Sequence, residues 1–209
     1  MPLSTKVLHS SFLQSATNNE ESIPSALTEI AILGRSNVGK SSFINKLLNA
    51  RLARSSSTPG KTRLINFFQT TWHVRGGVLG EDGEKFSLIF VDFPGFGYAK
   101  VAKAQRRDWD RKLTNFLSQR RSIKLCCHLI DSRHRGLELD REIREFLDST
   151  CGKNGAEVIE IYTKSDKLKK NELRELQRGG ALSLSTLKTQ ENDLQKIYST
   201  LLSKGLGLE

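Results

Sequence analysis

Between Glu29 and Leu48 an apolar run, Ile30-Ala31-Ile32-Leu33, leads into Gly34-Arg35-Ser36-Asn37-Val38-Gly39-Lys40-Ser41-Ser42, and Phe43, Ile44, Leu47 and Leu48 then recur at helical spacing. A buried strand, a glycine-bounded turn and a helix in that order leave few folds open. The turn directs backbone N–H groups inward, and the helix beginning near Gly39 aims its positive end at the same point, which makes a phosphate cradle. In that setting Lys40 reaches the β- and γ-phosphates of a nucleotide, and the Ser41 hydroxyl can ligate Mg²⁺. The strand–loop–helix context separates this from a chance pair of glycines. It names neither the base nor the purpose.

The rest of the chain alternates strands with helices. Residues 64–68 and 86–91 read as strands of a hairpin, with Gly76-Gly77 and Glu81-Asp82-Gly83 as turn signals in a long tip. A helix over about 105–121, a strand at 125–130 and a helix carrying Leu139, Ile143, Phe146 and Leu147 come next. Then follow a strand at 157–162, a short helix at about 171–178, a strand near 181–184 and a closing helix with Leu194, Ile197, Tyr198, Leu201 and Leu202 on one stripe. This predicts an α/β fold of the three-layer P-loop NTPase kind, with about six mostly parallel strands and helices on both faces. Residues 1–28 read as a partly ordered lead-in with one edge strand, and residues 29–209 as the nucleotide-binding domain. The polar stretch from Ala53 to Thr62 shows no period that would bury a face and reads as a mobile loop. Thr62 is its candidate for a second metal-ligating hydroxyl. At the end of the second hairpin strand stand Asp92-Phe93-Pro94-Gly95, where an open α/β sheet binds its ligand.

Charge narrows the partners. With 33 Lys and Arg against 23 Asp and Glu the chain carries a formal +10, a field that attracts polyanions. The helix over 105–121 holds Arg106, Arg107, Arg111, Lys112, Arg120 and Arg121, either a solvated face or a contact for nucleic-acid phosphates. No apolar run approaches the ~20 residues a membrane span needs. The N-terminus lacks the basic-then-apolar layout of a signal peptide, so a cytoplasmic protein is expected. Cys126, Cys127 and Cys151 have no metal-site spacing and read as structural thiols, and the four histidines form no ligand or triad pattern.

Thr163-Lys164-Ser165-Asp166 resembles the guanine-reading motif of GTPases, in which the aspartate accepts from guanine N1–H and the N2 amino group. Adenine lacks that donor pair, so a buried Asp166 would be left unpaired. The Lys164 stem would pack over the base. Ser185-Thr186-Leu187-Lys188 is similar to the loop that closes on the guanine oxygen through backbone N–H groups, with Ser183-Leu184-Ser185 as the other register and an ordinary serine-rich turn as the alternative; Leu184, Ser185 and Thr186 are the candidate contacts.

A closer resemblance covers nearly the whole chain. The cradle, Ser57-Thr58-Pro59-Gly60-Lys61-Thr62, Asn66-Phe67-Phe68 and Val91-Asp92-Phe93-Pro94-Gly95-Phe96-Gly97-Tyr98-Ala99-Lys100 together resemble the EngB (YihA/YsxC) family of bacterial GTPases. Phe12-Leu13-Gln14-Ser15-Ala16 and Asp131-Ser132-Arg133-His134 are similar to that family as well. The resemblance implies binding of GTP and GDP, slow hydrolysis of GTP, and a monomer that acts with rRNA in large ribosomal subunit precursors, with links to cell division and septation. It implies nucleotide contacts from Gly34 to Ser42, from Gly60, Lys61, Thr62, Arg63 and Leu64, from Asp92, Phe93, Pro94 and Gly95, and from the two base-reading segments. Lys40, Thr62 and Gly95 would act on the γ-phosphate, and Ser41 and Thr62 would ligate Mg²⁺, with Asp92 holding a metal-bound water. Phe96 stands where Ras-like enzymes carry a glutamine that orients water, which shifts attention to a K⁺ ion beside Asn37.

Overall fold

The structure is a computed structural model and describes residues 3–53, 64–97 and 103–208, with side chains at 103–107 left out. The elements are β1 (Ser4–Ala16), β2 (Glu29–Gly34), α1 (Lys40–Leu47), β3 (Ile65–Arg75), β4 (Glu84–Asp92), α2 (Lys103–Gln119), β5 (Ile123–Asp131), α3 (Glu138–Cys151), β6 (Glu157–Thr163), α4 (Lys170–Arg178), β7 (Leu182–Leu184) and α5 (Glu191–Leu206). They form one seven-stranded sheet in the order β1-β3-β4-β2-β5-β6-β7. β2 pairs parallel with both β4 and β5, β6 lies parallel to β5 and β7, and the β1–β3 and β3–β4 pairs are antiparallel.

The alternation of strand side chains builds two cores. Ile30 and Ile32 of β2 face α1 and α5 in a cluster with Phe43, Ile44, Leu47, Trp72, Leu125 and Leu201. Ala31 and Leu33 face the other way, among Phe67, Val91, Leu113, Phe116, Ile143 and Leu147 on the side of α2 and α3. β2 is buried along its whole length, as a central strand covered on both faces must be. The two cores hold the carboxyl ends of the parallel strands at one edge of the sheet.

The structure departs from the sequence expectations in three places. The lead-in contributes a full strand, so the sheet has seven strands where about six were expected. Strict alternation fails in β1 because its register shifts between Val7 and His9 and again between Phe12 and Gln14. The apolar doublets Val7-Leu8 and Phe12-Leu13 sit at those shifts, and the bulges hide the two-residue period. β3 and β4 run further than the apolar runs suggested, because Thr70, Trp72 and Val74 continue the buried face of β3. Arg120 belongs to no basic surface. It is 3% exposed, with Nε and Nη2 each 2.6 Å from the two oxygens of the fully buried Glu29. Exposed Arg111 and half-buried Lys112 pair with Asp108, while the side chains of Arg106 and Arg107 lie outside those described.

The three cysteines are buried free thiols, and burial pushes the Cys127 thiol well up. Among the described residues no helix is long and apolar enough to cross a membrane.

Candidate functional site

The loop between β2 and α1 is folded by its own backbone and pinned from the side. Gly39 precedes the helix with φ 101°, a conformation that side chains with a Cβ avoid, and Asn37 also has a positive φ of 62°. Thr163 Oγ1 donates to the Val38 carbonyl at 2.6 Å, and Lys164 Nζ donates to the Asn37 carbonyl at 2.7 Å. Fixing the Val38 carbonyl on that side turns the Gly39 N–H, across a planar trans peptide, toward the mouth of the loop. The helix α1 begins at Lys40 and aims its positive end at the same mouth. Together these donors suit phosphate oxygens.

Lys40 is the first residue of α1, and its Nζ is ion-paired with Asp92 Oδ1 at the end of β4. Both side chains are nearly buried, so the amine and the carboxylate share one dry corner. Ser41 follows, half-buried, and Ser42 is exposed. A hydroxyl and a carboxylate beside a phosphate cradle are hard oxygen donors, which fit Mg²⁺. Among the described residues no group of three or more His, Cys, Asp and Glu could hold a metal by itself.

After Asp92 the chain runs beside the cradle. Phe93 is fully buried with its ring 5.3 Å from that of Phe116, so its side chain is core. Ser36 N–H donates to the Phe96 carbonyl at 2.8 Å and Phe96 N–H to the Gly34 carbonyl at 3.0 Å. Buried Pro94 and Gly95 lie between, and a Cβ on Gly95 would come within 2.9 Å of Ser36 N and Cα, so only glycine allows this approach. The side chain of Arg35 turns away to α3, where Nε meets Asp140 Oδ1 at 2.8 Å. Gly60, Lys61, Thr62 and Arg63 lie outside the described residues, and Leu64, just before β3, is 40% exposed.

A second corner forms at the ends of β5, β6 and β7. Thr163 and Leu184 are opposite each other in the β6–β7 ladder, which brings Ser185 to the segment after β6. Ser185 Oγ donates to Asp166 Oδ1 at 2.8 Å and accepts from the Lys188 N–H at 2.8 Å. The Asp166 side chain is 5% exposed. Ser185, which both registers of the last loop share, is the residue held against Asp166, with half-buried Thr186 next.

Lys164 has φ 56°, and besides the Asn37 carbonyl its Nζ meets Asp131 Oδ2 at 2.9 Å. Asp131 was not among the sequence candidates. Burial works to raise its pKa, but the Arg133 side chain, Lys164 and the Arg133 N–H outweigh it and hold the carboxyl well below the usual carboxylate range. Its place at the carboxyl end of β5 is the same signal that singled out Asp92 on β4. Lys164 therefore joins the end of β5 to the loop between β2 and α1.

A phosphate cradle on β2, an acid ending β4, and a buried aspartate held by a serine at the ends of β6 and β7 define a P-loop GTPase. The family model for 50S ribosome-binding GTPases matches residues 29–164. Probable GTP-binding proteins EngB from Helicobacter hepaticus and Campylobacter lari are 42% and 43% identical to this chain, over 95% and 96% of its length and 86% and 98% of theirs. The chain belongs to the EngB family of GTP-binding proteins. In fold it is similar to Aquifex aeolicus Era bound to GDP and AlF₄⁻, with a TM-score of 0.60, 21% identity and coverage of 85% of this chain and 56% of that one. It is likewise similar to the crystal structure of a probable GTP-binding protein engB, with a TM-score of 0.57, 16% identity and coverage of 86% and 99%.

Proposed function

We propose that this chain binds GTP across residues 29–209, hydrolyses it slowly to GDP and phosphate, and works as a nucleotide switch in assembly of the large ribosomal subunit. The observation that carries this reading is the buried Asp166–Ser185 pair, joined through Lys164 to the same loop whose Lys40 meets Asp92. In this reading Asp166 accepts from the guanine donors, the Lys164 stem covers the base, and backbone N–H groups near Leu184, Ser185 and Thr186 receive the guanine oxygen. Lys40 and the N–H groups from Asn37 to Ser42 hold the phosphates. Ser41 and Thr62 would hold Mg²⁺, with Asp92 behind them, and bound there it neutralises charge on the β- and γ-phosphates.

Water attacks the γ-phosphate in line, and the rate comes from positioning and charge. Lys40 leaves Asp92 for the phosphates, and the Gly95 N–H turns to the γ-phosphate when Ser36 and Phe96 part. Loss of that phosphate lets both segments relax, which is the switch. Phe96 offers no group to orient water, so intrinsic turnover is slow. Asn37, exposed beside the cradle, would hold a K⁺ ion that adds positive charge there.

The net charge of +10 and the family's 50S-binding description support a large-subunit precursor and its rRNA as the partner, in the cytoplasm, with the protein as a monomer. Through that assembly role the protein would support cell division and septation. Co-sedimentation with large-subunit precursors tests this. The chain is expected to pellet with them under a non-hydrolysable GTP analogue, to dissociate under GDP, and to lose affinity steeply with salt. Equal association in both nucleotide states would refute the switch, and affinity indifferent to salt would point to a protein-docking module instead.

A further inference from the structure

Asp92 is held from two sides. Lys40 occupies its Oδ1, and from the neighbouring strand Asn66 Nδ2 donates to its Oδ2 at 3.4 Å. Asn66 and Asp92 are directly opposite in the β3–β4 ladder, so the contact follows from strand register. Asn66 is itself oriented. Ser15 Oγ donates to Asn66 Oδ1 at 2.7 Å, and Ser15 faces Asn66 in the β1–β3 ladder. An amide carries its acceptor on one side and its donors on the other, so a hydroxyl proton on Oδ1 leaves Nδ2 to face the carboxylate.

We propose that Asn66 is a positioning residue for Asp92 in Mg²⁺-dependent nucleotide binding, with Ser15 of the edge strand fixing the Asn66 amide. The inference rests on the Mg²⁺–GTP reading above. A bound phosphate draws Lys40 off Oδ1 and leaves that oxygen free to accept. Among the described hydrogen bonds, the one from Asn66 then still anchors the carboxylate at the end of β4. This gives the lead-in a part in the site: the relay Ser15–Asn66–Asp92–Lys40 crosses β1, β3 and β4 to α1.

The test is release of a fluorescent GDP analogue, followed by stopped flow from EDTA through a Mg²⁺ titration, for the full chain and its Asn66→Ala and Ser15→Ala variants. With EDTA the three should release nucleotide at the same rate. The Mg²⁺ midpoint should rise about tenfold in Asn66→Ala, as for loss of a partner that orients a metal-site group, and less in Ser15→Ala. Equal midpoints for wild type and Asn66→Ala would overturn the inference, as would release accelerated equally with and without Mg²⁺, the mark of a merely structural role. Ser15→Ala removes one exposed contact and leaves the core intact, so it reads the relay even if Asn66→Ala folds poorly. Release from the wild type that ignores Mg²⁺ would instead overturn the metal reading itself.

Discussion

Replacing Arg120 by alanine should cost this protein a large part of its stability. The guanidinium bonds both oxygens of Glu29 at 2.6 Å, Asn19 Oδ1 at 3.0 Å, Ser22 Oγ at 2.5 Å and the Ile23 carbonyl at 2.8 Å. It also lies 5.3 and 5.1 Å from the ring centroids of Phe67 and Phe116. Glu29 is fully buried, so the variant leaves a carboxylate in the interior without its cation, a loss of about 3–5 kcal/mol. Lost contact with two aromatic faces adds about 1 kcal/mol. Against a typical total of about 5–15 kcal/mol, this leaves a marginal protein. For a chain of this length about 1 kcal/mol moves Tm by roughly 2–4 °C, so Tm should fall by roughly 10–20 °C.

Urea unfolding followed by far-UV circular dichroism, together with thermal melts, measures both quantities. Two controls locate the cause. Arg111→Ala, on the exposed face of α2, which ends just before Arg120, should change stability by less than about 0.5 kcal/mol. The double variant Arg120→Met with Glu29→Leu should recover much of the loss, because both desolvation penalties go together. A loss below about 1 kcal/mol for Arg120→Ala would refute the reasoning. Glu29 opens the strand that ends at the phosphate cradle, so nucleotide binding should fail along with stability.

Two further outcomes follow from the site and the core. Burial lowers the pKa of His128 below 6.5 despite the opposing pull of Asp140 and Glu160, so its imidazole is neutral in the fold. The unfolded chain binds the extra proton, so this contribution is whole above about pH 6.5 and is lost as pH falls toward the folded value, and urea midpoints at pH 7.5 and 5.5 should differ less in His128→Asn than in wild type. If Asn37 holds K⁺, GTP turnover should be faster in K⁺ than in Na⁺ buffer, and Asn37→Ala should abolish the difference; equal rates for wild type in the two salts, with and without ribosomal particles, would exclude the ion.

The core strands and helices could be read along the chain because their signals are local. The α1 stripe of Phe43, Ile44 and Leu47 follows a helical period, and the buried run 30–33 marks a strand covered on both faces. β1 was harder to read because its two bulges break the period of two that betrays a half-buried strand. Arg120 misled for a different reason. A basic residue near the end of a basic helix looks solvated until the partner 91 positions earlier is seen beside it. Asp131 and Asn66 stand in segments that carry the family resemblance, but their contacts are not legible there, since one pairs with Lys164 and the other meets Asp92 through strand register.

By itself, then, the sequence determined the glycine-bounded turn between β2 and α1, the acid that ends β4 and the α/β alternation. Those features depend on backbone conformations and periods set within a few residues. Only the tertiary structure decided that Lys164 reaches back 127 positions to the Asn37 carbonyl, that Ser185 is the residue held against Asp166, and that the edge strand bears on Asp92. These contacts depend on which strands lie side by side and in what register. Burial of two opposite-facing cores sets that order, and no local spacing encodes it.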